Sequence, residues 1–397
     1  MSRTAVTYDA VVVGAGPAGS ATAARLAGCG YRVALLDRAR FPRSKPCAEY
    51  VSPGTVAALD RLGVLPEVLA EGPTRLRGMR VVGADGQGFA GRFVAGEGLG
   101  LARALLDHLL VRAAVRRGAE LFEATTFVAL AAPADGIVRV HARGDDGPVE
   151  FAARLVVGAD GLTSRVARQL GLARRPAGRA VALVAHAAGV AGMGDVGEMH
   201  AGPAGYVGLA PLGGGVTNVA VVVRRDHPQA PGAPADRLRT LLAQFPTVRE
   251  RVTHAALVSS VRGVGPFGRA TRRATADHAL LVGDAADFYD PFTGEGVFAA
   301  LTGAELAAAA ATSALTRDRL SRADLAAYDA ARRRAFAAKW TLERVVGWVI
   351  ARPRVLAHVA HRLARTPSLA DRLVSVTAHV TPPAAVLRPA YVWQLVH

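Results

Sequence analysis

Three glycines and one aspartate carry the first chemical signal in this sequence. Gly14, Gly16 and Gly19 stand in a Gly-x-Gly-x-x-Gly spacing, and Asp37 closes the next apolar run. In that pattern the first glycine permits a tight turn and the second lets backbone approach a pyrophosphate. The third lets a helix pack closely on a strand. Pro17 and Ala18 open that helix, whose unpaired N–H groups and positive dipole end face the phosphates. Asp37 is placed to accept a hydrogen bond from a ribose hydroxyl, with Arg38 beside it at the same rim. Taken alone, the glycines describe any tight turn. Lying between a strand and a helix, with the acid at the expected distance, they point to a dinucleotide site.

Two later segments repeat the pairing of glycine and acid. Val157-Gly-Ala-Asp160-Gly161 is a strand that breaks into an acid–glycine turn, and Leu281-Val-Gly283-Asp284 ends another strand the same way. Two further segments draw attention: Phe41-Pro-Arg-Ser-Lys45-Pro46-Cys47, and Asp290-Pro291-Phe-Thr-Gly294-Glu295-Gly296.

In this order and spacing, the three glycine–acid motifs resemble the FAD-binding superfamily of class A flavin monooxygenases and geranylgeranyl reductases. The resemblance spans about residues 8–311, with the middle sheet matched only loosely. It implies non-covalent FAD, with Asp284 hydrogen-bonded to the ribityl chain and Asp160 and Gly161 near the flavin and the nicotinamide path. Arg103, in Leu101-Ala-Arg103-Ala-Leu-Leu-Asp107, matches the family arginine that touches the cofactor; read alone, it is equally an exposed helix arginine. The Pro46-Cys47 pair resembles the pair that lies by the isoalloxazine in geranylgeranyl reductases. Residues 291–296 resemble the Pro-x-Thr-Gly-Glu-Gly turn of the same branch. Reduced flavin carries negative charge near N1 and the C2 carbonyl, which a Gly-rich helix N-terminus aimed there stabilises. A free cysteine such as Cys47 is otherwise a small buried hydrophobe.

Departures from the family narrow the chemistry. Halogenases of this fold use a Trp-x-Trp-x-Ile-Pro segment and a mid-chain lysine. Here every tryptophan lies at Trp340 or beyond, and no lysine occurs between Lys45 and Lys339. The reductases' Tyr-x-Trp-x-x-Pro strand is matched by Tyr206-Val-Gly-Leu-Ala-Pro211, which keeps the tyrosine and proline but not the tryptophan. Cys47 and Tyr206 are therefore the candidates for contact with a reacting substrate. His186 and His200 lie in the candidate substrate sheet, where a structural role is the simpler reading. Asp287, Tyr289 and Asp290 either face the flavin or form a solvated loop.

The leading expectation is an FAD-dependent monooxygenase acting through a flavin C4a-hydroperoxide on a hydrophobic aromatic, polyketide or terpenoid substrate. Such chemistry requires O₂ and a water-poor cavity but no strong protein nucleophile. The alternative is a geranylgeranyl-type prenyl reductase, in which hydride leaves flavin N5 and Cys47 or a water supplies the proton. No separate NAD(P)H domain is visible. Electrons would come from transiently bound NAD(P)H or from a partner reductase.

These residues need an α/β scaffold to position them. Residues 8–13 and 32–36 read as buried strands flanking an Ala-rich helix, a βαβ unit with the glycine turn at its first junction. Further helices are expected near 55–62, 101–117 and 294–311. Strands are expected near 76–82, 88–93, 155–157, 216–223, 255–261 and 279–282. Together with the resemblance, these elements imply the fold class: α/β, with a Rossmann-type FAD-binding domain (1–74, 96–175 and 267–320), an antiparallel substrate sheet (75–95 and 176–266) and a C-terminal helical region (321–397).

Composition sets the bounds. The formal charge of +16 is carried almost wholly by arginine spread along the chain, which reads as coding bias and excludes a nucleic-acid module. Cys29 and Cys47 form neither a disulfide framework nor a metal-ligand spacing, so no metal and a reduced, cytoplasmic setting are expected. No apolar stretch approaches the length of a membrane span. Residues 332–365 are basic and apolar at helical spacing, with Glu343 their only acid, and Trp340 and Trp348 sit among them. This region is either a cap closing the substrate cavity, or a dimer face, or a peripheral membrane contact.

Overall fold

The first strand forms because residues 10–13 offer an unbroken apolar run with no solvent face. In the computed structural model, which describes residues 7–174, 180–224, 227, 232–288 and 291–396, Thr7–Val13 is the centre of a parallel sheet. It pairs in parallel with Val33–Leu36 on one side and Gly147–Gly158 on the other. Ala279–Leu281 and Glu120–Phe122 extend the parallel set outward. Strands Val138–Gly144 and Thr126–Leu130 add an antiparallel flap to one end of Gly147–Gly158. The Ala-rich helix Pro17–Gly28 packs closely between helices Arg103–Arg116 and Gly296–Thr316.

A second sheet carries strands in the spatial order 256–257, 180–188, 216–224, 205–213, 196–202, 78–82 and 88–92. Its pairs are antiparallel except 78–82 with 196–202. Alternation divides its two faces. Ala182, Val184, Tyr206, Ala220 and Val222 share one buried cluster, while Val207, Leu209, Val219 and Val221 pack on the other side with Leu238 and Phe245 from two short helices. Strands 50–51, 74–76 and 98–100 form a small separate sheet.

Three expectations are modified. The single strand expected at 255–261 is two short ones, Ala256–Leu257 and Arg262–Val264. Between them the Ser259 hydroxyl, instead of a backbone carbonyl, accepts the His186 N–H at 2.9 Å. Helix Gly296–Thr316 is long and apolar enough by composition to cross a membrane, contrary to the reading that no stretch approaches that length. Half of that stretch is buried inside the protein, with Ala304, Ala307 and Ala311 inaccessible, so it serves as a core helix. Finally, the helical region does not begin as a separate unit at 321. The helix Arg322–Ile350 sends Leu325 and Tyr328 into the core of the FAD-type domain, and only its later turns reach the C-terminal helices. The boundary expected at 175/176 lies at the edge of residues outside those described.

The C-terminal helices Pro353–Arg365 and Pro367–Thr377 cover strands 78–82 and 88–92. Met79 and Val81 touch both that helical layer and the apolar cluster on the substrate face. The layer therefore caps one end of the substrate sheet.

Tyr328 is fully buried and donates its hydroxyl to the Leu281 carbonyl at 2.9 Å, fastening the long helix to the strand that leads into Asp284. Tyr328→Phe should cost about 1–2 kcal/mol of stability. Urea unfolding should show it as a lower midpoint at unchanged slope.

Candidate cofactor and substrate cleft

Parallel strands present their carboxyl ends on one side of a sheet, and that is where α/β folds bind ligands. Strands 7–13, 147–158 and 279–281 end together there, and an open cleft runs from their turns to the face of the second sheet.

The first turn closes only with glycine. Gly14 has φ of +100°, and a Cβ there would lie 2.5 Å from the Ala159 carbonyl oxygen. A Cβ on Gly19 would lie 1.8 Å from the Gly14 carbonyl oxygen. Gly16, Pro17 and Ala18 line the cleft, and no side chain caps the helix they start, which leaves its first-turn N–H groups for a bound anion. Asp37 is buried. Its Oδ2 accepts the Ala15 N–H at 2.8 Å and its Oδ1 accepts the Ala39 N–H at 2.9 Å, so it braces the turn as well as standing at its rim. Arg38 is exposed and is not among the lining residues.

In the middle turn Gly161 lines the cleft and Asp160 does not. Asp160 Oδ2 accepts the N–H groups of Arg165 (2.6 Å) and Val166 (3.2 Å), which makes it a brace for the helix Arg165–Gln169, while its Oδ1 is buried without a hydrogen-bond partner among the described residues. In the late turn Asp284 lines the cleft, while Gly283 packs against the first helix, where a Cβ would come 2.8 Å from Ala18. Burial pushes the Asp284 carboxyl above its ordinary range, with the cations of Lys45 and Arg103 pulling it back.

Pro291, Gly294 and Gly296 line the cleft, but Glu295 turns away from it. Its Oε2 accepts from the Ser52 hydroxyl at 3.3 Å and lies 3.1 Å from His379 Nε2, so this residue joins the turn to the C-terminal region. Asp287 pairs with Arg332. Tyr289 and Asp290 lie outside the described residues.

The loop after the second strand brings Lys45, Pro46 and Cys47 into the cleft. Asn218, from the substrate sheet, donates Nδ2 to the Cys47 carbonyl at 3.0 Å. Glu49 accepts the Arg103 backbone N–H at 2.8 Å and lies 2.5 Å from His186 Nε2. That bond raises the His186 pKa, against the opposing effect of partial burial. Arg103 is buried rather than exposed, and it makes two bonds, 2.8 and 2.9 Å, to Asp107. Burial opposes its charge, but Asp107 and the Cys47 sulfur outweigh this and hold the guanidinium firmly protonated. His200 lies behind the sheet, 2.9 Å from Glu198 and 3.0 Å from Thr247.

Tyr206 lines the cleft and meets Phe292 edge-on, with ring centroids 5.0 Å apart. Met199, Phe267 and Phe288 continue the apolar wall. The sequence reading gave no role to Phe267, Phe288, Met79 or Lys45. The aromatics have no spacing that marks them. Lys45 had a signal, as one of two lysines in the chain. It stands half-buried in the cleft near Gly161, with its pKa lowered by burial and by Arg103.

These features fit an extended dinucleotide: uncapped helix N–H groups at one end, Asp284 midway, and a glycine turn beside an apolar wall at the other. The FAD-binding domain family matches residues 7–343. Digeranylgeranylglycerophospholipid reductase 2 of Methanopyrus kandleri is 33% identical over 331 residues, covering 81% of this chain and 81% of that protein. Menaquinone reductase of Mycobacterium tuberculosis is 32% identical over 330 residues, covering 76% and 75%. A flavoprotein/dehydrogenase of Cytophaga hutchinsonii shares the fold, with a TM-score of 0.83 at 20% identity over 94% of this chain and 93% of its own. The chain belongs to the FAD-binding domain family and is an FAD-dependent oxidoreductase.

Proposed function

We propose that this protein is an FAD-dependent reductase that saturates isoprenoid double bonds. The observation that carries this reading is the meeting of Pro46-Cys47 and Tyr206 in one apolar cleft, in a chain a third identical to a digeranylgeranylglycerophospholipid reductase. Bound FAD would supply the two-electron chemistry. The residues do the rest. The first-turn N–H groups would hold its pyrophosphate and Asp284 its ribityl hydroxyls. Val184, Met199, Val222 and Phe267 exclude water from an apolar chain. Cys47 Sγ lies in the cleft beside the Arg103 guanidinium, as the group to deliver a proton to the carbon that does not receive hydride. Reducing equivalents come from a nicotinamide that binds transiently or from a partner reductase.

Monooxygenation of an aromatic or terpenoid would use the same cleft and the same cofactor, and it differs in its products. Incubation of the reduced, FAD-loaded protein with a geranylgeranyl-chain substrate under ¹⁸O₂ should give a mass gain of two hydrogens per saturated bond and no label. Label in the product would establish oxygenation instead. Cys47→Ala should slow saturation by roughly 10²–10⁴-fold while the protein stays yellow.

Asp284→Ala removes the carboxylate from the centre of the cleft. FAD affinity should fall by roughly ten- to a hundredfold, the range of hydrogen bonds to charged groups, as measured by titration of the apoprotein.

The Glu49–His186 bond ties the Cys47 loop to the substrate sheet. Because the bond raises the His186 pKa, its stabilisation is fully present below the ordinary value of 6.5 and is lost as pH rises through the folded value. Melting temperature across that window should decline in the native protein. The decline should flatten in His186→Gln.

A further inference from the structure

The turn between helices Arg322–Ile350 and Pro353–Arg365 carries apolar surface that nothing among the described residues covers. Val345 is 46% and Trp348 51% exposed, while their helix neighbours Leu342 and Val346 pack inward with Leu363 and Tyr391. Arg344, Arg352 and Arg354 are exposed around them. The Arg352 guanidinium lies 4.2 Å from the centre of the Trp348 ring. From Arg344 to Ala370 the sequence holds five arginines and no aspartate or glutamate. The acid just before this stretch, Glu343, is buried and paired with Lys339.

We propose that this turn docks the protein onto an anionic lipid surface. Indole rings rest at the depth of lipid headgroups, with their apolar body toward the acyl chains and their N–H toward water. Arginines in the same plane are drawn to the negative surface potential, each contributing about a fivefold gain in partitioning. A second copy of the chain does not fit as the occupant. A two-fold interface would set this patch against itself, arginine facing arginine, with no acid in the stretch to relieve it. The same helical layer covers strands 78–82 and 88–92, so docking brings the Met79 end of the cleft toward the lipid. This inference stands independently of whether the cleft reduces or oxygenates its substrate.

Sedimentation of the full-length, FAD-loaded protein with vesicles tests it. Phosphatidylcholine vesicles containing phosphatidylglycerol should bind the protein, and pure phosphatidylcholine should not. Binding should fall steeply with salt, because added ions screen surface charge. Arg352→Gln with Arg354→Gln should weaken partitioning by about 25-fold. Trp348→Ala should weaken it on anionic vesicles too. All three side chains are exposed, so unfolding temperature and flavin content should be unchanged in these variants. The inference is overturned by equal binding to neutral vesicles, by binding to neither, or by undiminished binding of the arginine variant. A dimer in light scattering that Trp348→Ala dissolves would overturn it as well.

Discussion

The register between three parallel strands is the constraint on which the rest of this protein depends. Val13 stands opposite Gly158, and Gly158 opposite Leu281. Segments far apart in sequence therefore end level with one another, and each end is followed by a turn. Because side chains alternate along a strand, a slip of one residue in either pairing would send a buried row to the wrong face. The fit at the ends leaves little slack. Gly14 rests on the Ala159 carbonyl and Gly283 rests on Ala18, so the middle and late turns are each in contact with the first. The cleft is the space that remains once these contacts are made.

Its charges are arranged to survive burial. A buried cation is tolerable when its hydrogen bonds are satisfied. Arg103 meets that condition through two bonds to Asp107, and Asp107 also receives Arg43 at 2.8 Å. Lys45 and Asp284 are drawn from their ordinary values in opposite directions, each by burial first. The loop bearing Lys45 and Cys47 is held by the substrate sheet through Asn218 and His186, so the residues facing the cofactor are tied directly to those facing the substrate.

Much of this was legible beforehand, because glycine and strand periodicity are local signals. The βαβ unit and its glycine turn follow from spacing, while the resemblance to a known family picked out Gly161, Cys47, Tyr206 and Asp284; these and Gly16 all reach the cleft. What escaped depends on contacts between distant segments. Asp160 and Glu295 sit inside recognisable motifs, yet a helix N-terminus in one case, and Ser52 with His379 in the other, decide where each carboxylate points. No pattern near Glu295 announces a histidine eighty-odd residues later. The split strand at 255–261 likewise turns on one serine hydroxyl meeting a partner strand.

The strands at 78–82 and 88–92 leave the cofactor-binding portion of the chain, join the substrate sheet by a parallel pairing with 196–202, and return before helix Arg103–Arg116 begins. The chain thus weaves between its two halves instead of completing one and then the other. Neither half is a contiguous stretch that a ribosome could finish and release to fold unaided. Evolution cannot exchange the substrate half of such a protein as a cassette. It can only remodel that half in place, residue by residue, while the cofactor's grip is kept.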